Sequence, residues 1–162
     1  MHHQVEGSAV KSGHASHMYL RLLLMAVLHF IAMYFLMYAM VDRANNVFLN
    51  LNNLYMAAIM TTPMLVFELI LMWQMYGNKK ILAAVFAGSV AVFVVAFLFI
   101  RQQVAIGDEQ FLRSMIPHHA GALLMCEEAD VKDPRILELC EQIRESQQRE
   151  IDLMKTLLEE IE

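Results

Sequence analysis

Three predominantly apolar stretches, 19–41, 54–76 and 81–100, constrain the chain more than anything else in it. Each matches the ~20 residues that an α-helix needs to cross a hydrocarbon core of ~30 Å. Inside that core only helices and closed barrels keep every backbone polar group paired. The stretches therefore predict three transmembrane helices, with the lipid bilayer as their partner. The first run is longer than the ~7–15 residues of a signal-peptide core, and no small-x-small cleavage pattern follows it, so it reads as a retained anchor. In the short flanks, Lys11, Arg21, Lys79 and Lys80 lie on the N-terminal side, and Arg43, Arg101 and Arg113 on the other. By the positive-inside rule the N-terminus is expected in the cytoplasm of a bacterial inner membrane, and the C-terminal segment in the periplasm or outside the cell.

Residues 1–18 are poor in apolar side chains and carry His2, His3, His14 and His17. That composition predicts a disordered tail, with loose metal collection as a candidate role. Beyond the third span Asp and Glu crowd from Asp108 onward, and the whole chain has a net charge of −5, which speaks against a nucleic-acid partner. No nucleophile–base set and no Gly-rich phosphate loop occurs, so no enzymatic activity is expected. Gly107 breaks the preceding helix and Asp108 suits an N-cap; "KDP" then supplies Asp133 as the next N-cap and Pro134 as first helical residue. The expected architecture is all-α: a tail over 1–18, a three-helix membrane domain over 19–103, and a two-helix hairpin over 104–162 with its turn near 129–132.

Met25, His29, Met33 and Met37 recur every four residues in the first span, and Met56, Met60, Met64, Glu68 and Met72 do so in the second. Each set forms one slowly drifting stripe. Thioethers and imidazole suit Cu(I) or Ag(I), so Met25, His29, Met33, Met56, Met60, Met64 and Glu68 are candidates for a metal path through the membrane. The competing reading is plain packing, for which methionine is well adapted. Glu68 and His29 are the sharper signals, because ionisable groups at membrane depth face a partner inside the bundle. Pro63 should free a carbonyl in the second span, to be met by Thr61, Thr62 or a neighbouring helix.

The segment "SMIPHHAGALLM" sets two histidines between methionines. On a helical wheel Phe111, Met115, His118, His119, Ala122 and Cys126 fall within an arc of about 100°, which should face the second helix. That helix offers Ile136, Cys140, Ile143, Gln147, Glu150, Met154, Leu157 and Ile161 at heptad-like spacing, with Gln147 and Glu150 as the polar interruptions. A tight turn would bring Phe111 to Met154, Met115 to Glu150, both histidines to Gln147, and Cys126 to Cys140. Imidazole, thioether and carboxylate then converge at one level. Two readings stay open: a hydrogen-bonded His–Gln–Glu cluster that fixes register, or a metal site of Met115, His118, His119, Glu150 and Met154 with Gln147 behind it. Soft sulfur beside imidazole favours Cu(I) over hard ions. Cys126 and Cys140 are candidates for a structural disulfide if the hairpin is exported, or for thiolate ligation.

"DEQFLRSMIPHHAGALLM" followed by "QQREIDLM" resembles the bacterial family known as domain of unknown function 305, over about the last third of the chain. The family pattern falls on Asp108, Phe111, Met115, Ile116, His118, His119, Ala122 and Met125, then on Gln147, Glu150, Ile151 and Met154. The resemblance adds Met125 to the candidate ligands and Asp108 to the supporting residues. It implies a helical, mostly extracytoplasmic domain, with copper binding and protection against copper excess in some members. The three preceding spans look like those of a membrane-anchored subset. Two departures stand out: soluble members often carry two such hairpins where this chain has one, and "KTLLEEIE" replaces the short aromatic ending.

The function expected from these readings is a membrane-anchored protein that binds copper, Cu(I) preferred and Ag(I) conceivable, in copper handling or resistance, alongside other copper-handling proteins. The alternative is a structural or assembly protein whose hairpin is a dimerisation coil. A hairpin of about 55 residues buries little apolar surface by itself, so a homodimer forming a four-helix bundle is expected.

Overall fold

In the computed structural model the backbone is described for residues 3–161 and the side chains for 17–161. The helices are α1 (His3–Leu36), α2 (Leu51–Leu71), α3 (Lys79–Gln102), α4 (Asp108–Glu128) and α5 (Pro134–Ile161), and the described residues contain no strand. The expected tail, including His2, His3 and His14, falls almost wholly outside the described side chains; His17 is exposed. Three segments are long and apolar enough to cross a membrane: His17–Met40, Leu51–Leu71 and Lys79–Gln102, with mean hydropathies of 2.1, 1.8 and 2.7.

The chain divides into two units, Met1–Met33 with Tyr55–Arg101, and Tyr34–Leu54 with Gln102–Glu162. In the first, Leu22, Leu69, Tyr76 and Leu82 form the buried cluster, with Met18, Met25 and Met72 packed against it. Large apolar side chains such as Leu23, Leu28, Phe67 and Leu71 point outward, as a lipid-facing surface requires. Pro63 lies inside α2 and removes the hydrogen bond to the Ile59 carbonyl. The Thr62 hydroxyl donates to the carbonyls of Ala58 at 3.0 Å and Ile59 at 3.5 Å, which meets the freed group as expected. Asn78 caps α3, accepting from the amides of Lys80 at 3.0 Å and Ile81 at 3.3 Å.

The second unit is larger than a bare hairpin, which corrects the boundary expected at residue 104. Residues 34–54 belong to it, and Val41 and Phe48 pack on the core of α4 and α5. This connection is held by short bonds: the Tyr38 hydroxyl donates to the Phe48 carbonyl at 2.8 Å, and Asp42 accepts from the Asn46 side-chain amide at 2.6 Å. Asn50 caps α2, its Oδ1 accepting from the Asn53 amide at 2.8 Å. Gln110 of α4 accepts from the Leu51 amide at 3.0 Å, and Asn52 donates to the Ser114 hydroxyl at 3.1 Å. Between α3 and α4 the backbone reverses through two left-handed non-glycine residues, Gln103 (φ 51°) and Ala105 (φ 58°), so the break comes before Gly107. Asp108 is the first helical residue rather than the cap, which is Gly107. Asp133 does cap α5, accepting from the Arg135 amide at 2.9 Å; the Arg135 side chain, bonded to the same carboxyl, holds it below the usual carboxylate range.

The faces that α4 and α5 bury are rotated from the expected ones. The core consists of Leu112, Ile116, Ala120 and Leu123 from α4 with Ile151, Met154 and Leu158 from α5, whereas Phe111 is 50% exposed and Leu157 and Ile161 are also outside. Because the 34–54 segment covers a second side of α4, its longest aliphatic chains can all be buried and the polar arc moves to the edge. A two-helix wheel has no means of including that third layer.

Candidate metal-binding cleft

Helix α4 carries its two histidines on different sides of the same edge, and this separates their chemistry. His119 turns toward α5. Its Nδ1 lies 3.0 Å from Glu150 Oε2, yet this buried nitrogen lacks the alignment of a hydrogen bond; the contact is a close polar approach. Burial lowers the pKa of His119 below the ordinary histidine value, with Glu150 opposing and His118 assisting. His119 is therefore neutral at pH 7, and it meets Glu150 rather than the expected Gln147. The register thus runs about one helical turn beyond expectation at the histidines, while Cys126 and Cys140 face each other as expected.

His118 turns the other way, toward a cleft of about 510 Å³. Met115 and Met125 from α4 line this cleft with it, and Met37 and Met40 from the first span's end line the opposite wall, with Asn52 and Ser114 as polar neighbours. Gly121 faces the Met40 backbone, where an added Cβ would lie in ordinary contact, 3.5 Å from the Met40 carbonyl oxygen. Pro117, buried beside the imidazole, removes the backbone bond to the Arg113 carbonyl and gives this turn local freedom. Chemically, the cleft presents four thioethers and one imidazole, soft and borderline donors that suit a d10 monovalent ion and not Mg²⁺ or Ca²⁺.

The expected ligand set is thus split. Met115, His118 and Met125 share the cleft. His119 and Glu150 pair on the α5 side, Met154 is buried in the hairpin core, and Gln147 is half-buried on α5. Asp108 lies ten residues before His118, about 15 Å along the helix, too far to support it. Among the described residues no three of His, Cys, Asp and Glu approach closely enough to hold a metal ion, so any site here depends on sulfur. Met37 and Met40 are the residues that sequence reasoning missed as partners of His118; their i, i+3 spacing in the connection facing the hairpin was the available signal.

In the membrane unit the stripes also divide. Met25, His29 and Met64 line one cleft with Arg21, and Met25 and Glu68 line another with Met18, Met72 and Met75. His29 and Glu68 line different clefts. Met33, Met56 and Met60 line neither, Met60 being 44% exposed.

Both cysteines are free thiols, in place of the expected disulfide. Burial first, and then the neighbouring Cys140 thiol, push the Cys126 pKa up to about 11. Arg144 of α5 lies 3.7 Å from Glu127 and 3.4 Å from Glu141.

A helical hairpin with a paired histidine motif behind three membrane-length helices defines the class of this protein. Residues 100–160 match the model of the domain of unknown function DUF305, and the chain belongs to that family. It is also 34% identical over 142 residues to uncharacterized protein L153 of Acanthamoeba polyphaga mimivirus, covering 86% of this chain and 91% of that protein. The likeness therefore extends through the membrane-length helices as well as the hairpin. No solved structure matches the chain.

Proposed function

We propose that this is a membrane-anchored Cu(I)-binding protein of copper handling, with the cleft of Met37, Met40, Met115 and His118 as its binding site and Met125 at the rim. The observation that carries the reading is the convergence of thioethers from two chain segments on an exposed, uncommitted imidazole. Neither packing nor register requires it: the aliphatic core is complete without His118, and His119 with Glu150 already supplies the polar contact between α4 and α5. Thioether and imidazole donors favour Cu(I), and Ag(I) as its closest mimic. The part of the structural alternative that survives concerns His119, whose contact with Glu150 sets register and leaves His118 for chemistry.

The hairpin is placed outside the cytoplasm, in the periplasm or beyond a bacterial inner membrane, on the Lys and Arg distribution, and the exposed Leu153, Leu157 and Ile161 of α5 are assigned to a second copy of the chain. The deciding experiment is a Cu(I) titration of the detergent-purified full chain, anaerobic and against a chromophoric chelator, with both cysteines changed to serine. That protein should take up copper, and adding Met115→Leu with His118→Ala should abolish uptake while helicity is kept. Absence of uptake before those two changes would overturn the reading.

A further inference from the structure

One buried hydroxyl of the membrane unit has no partner. Helix α2 runs over 21 residues, and Thr61 sits at its centre, about 15 Å from either end, which is the middle of a hydrocarbon core of ~30 Å. The residue is 6% exposed, and its hydroxyl oxygen has no hydrogen-bond partner among the described residues. The two hydroxyls beside it differ: Thr62 donates to the Ala58 carbonyl at 3.0 Å and Ser89 to the Val85 carbonyl at 2.8 Å. Thr61 lines a cleft of about 390 Å³, walled by Val27 and Phe30 of α1 and by Gly88 and Val92 of α3. We propose that this cleft and the adjoining face of α3 dock helix α3 of a second copy of the chain, with Thr61 donating a hydrogen bond across the interface.

Two observations select a helix over lipid. The unpaired hydroxyl needs an acceptor at mid-membrane; acyl chains carry none, and water and ester carbonyls stay at the edges of the core, so a protein segment has to supply it. The face beside the cleft also suits backbone approach. Ala84, Ala87, Gly88 and Ala91 fall within an arc of about 100° on α3; all four are exposed, and a Cβ added at Gly88 would meet nothing within 4 Å. Away from this arc, at the same depth, the exposed residues are the larger Phe86 and Val90. Interfaces between membrane helices concentrate small residues, with Ser and Thr bonding across them. Donor–acceptor complementarity selects a second copy over another protein. Gly88 leaves the Ala84 carbonyl without side-chain cover, and that oxygen, already accepting from the Gly88 amide within the helix, keeps a second lone pair. The same surface thus holds both the spare donor and the bared acceptor, and a two-fold pair joins each to the other twice. This surface is separate from the His118 cleft and from the leucines of α5, and the inference does not rest on the copper reading.

The test uses the full chain with both cysteines changed to serine, metal-free, in phosphatidylcholine vesicles at a high and a low protein-to-lipid ratio. Ala84→Cys reports on the small face and Phe86→Cys is the control; iodine, which enters the bilayer, oxidises facing cysteines to a disulfide. Ala84→Cys should give a covalent dimer at both ratios, whereas Phe86→Cys should stay monomeric at the low one. In the Ala84→Cys background Gly88→Leu should abolish the cross-link. Thr61→Val should lower the dimer-to-monomer ratio by about threefold or more, the worth of an average hydrogen bond between membrane helices, and Thr61→Ser, which keeps the hydroxyl, should not. Equal cross-linking by the two reporters, no dimer or a dimer lost on dilution into lipid, or the same ratio for Thr61→Val and Thr61→Ser would each overturn the inference. The reporters are compared with Thr61 and Gly88 intact, so that comparison stands even if Gly88→Leu misfolds. Failure leaves the His118 cleft untouched, because no metal enters the assay.

Discussion

Methionine serves the two units differently. In the membrane unit Met18, Met25 and Met72 pack against Leu22, Leu69, Tyr76 and Leu82, and large apolar side chains such as Leu23, Phe67 and Leu71 are exposed. There a thioether is one more flexible apolar chain fitting irregular gaps. In the hairpin unit the core is aliphatic apart from Met154, whereas Met37, Met40, Met115 and Met125 gather round a cleft that holds an imidazole. What distinguishes the two units is the donor set: only Met25 and Met64 stand with His29, in a cleft that also holds the cationic Arg21, whereas four thioethers and no cation stand with His118.

The sharpest way to break this contrast is to remove sulfur from each unit in turn. Met25→Leu with Met64→Leu, close in volume, should leave Cu(I) uptake in the cysteine-free chain unchanged, whereas Met115→Leu with His118→Ala should bring it to background. Equal losses from both pairs, measured by the same chelator competition, would show that the membrane stripes bind metal too and that the two units do not differ in kind.

Neighbouring residues of α4 give the next largest effect. Ile116 is 0% exposed, and Ile116→Ala should cost about 2–5 kcal/mol of stability through lost burial and the cavity left behind. His118 is exposed, so His118→Ala should stay within about 0.5 kcal/mol. Thermal unfolding followed by circular dichroism measures both. A destabilisation by His118→Ala as large as that by Ile116→Ala would return His118 to a structural role.

These contrasts also mark what was legible in the sequence. The three spans, the hairpin, the Asp133 cap, the Thr62 rescue of Pro63 and the facing cysteines all follow from local signals: length, period and turn chemistry. The rotation of α4, the displacement at His119 and the cleft of His118 do not. Each depends on residues 34–54 packing against a helix more than sixty positions away, and the side chains that decide it, Val41 and Phe48, look like ordinary connection residues in a one-dimensional reading. A wheel drawn for two helices assigns both histidines to one partner. A third layer gives them two.

A smaller effect tests His119. Its pKa is lowered in the folded chain, so below the ordinary histidine value near 6.5 the unfolded chain binds the proton more readily, and stability falls as pH drops through that range until the folded pKa is reached. Above it the contribution is complete. In metal-free protein, denaturant unfolding at pH 7.5 and pH 5.5 should therefore show a larger loss for the wild type than for His119→Gln, which cannot take up that proton. The same loss in both proteins would mean that other groups carry the acid sensitivity and that the Glu150 contact does not single out His119.

The smallest effect lies in the turn that precedes α4. Ala105 holds a left-handed backbone at φ 58°, where its Cβ crowds the following carbonyl and glycine would not. Ala105→Gly removes that crowding but gives the unfolded chain more freedom to lose, and the two effects oppose each other. In left-handed positions relief of the clash, roughly 1–2 kcal/mol, exceeds the entropic term of about 0.4–1 kcal/mol. A net gain of up to about 1 kcal/mol is expected for the hairpin unit, with Cu(I) uptake unchanged because the turn lies about 20 Å along the chain axis from His118 at 1.5 Å per helical residue. A loss of stability, read from the unfolding midpoint, would mean that the alanine methyl makes contacts worth more than its backbone strain.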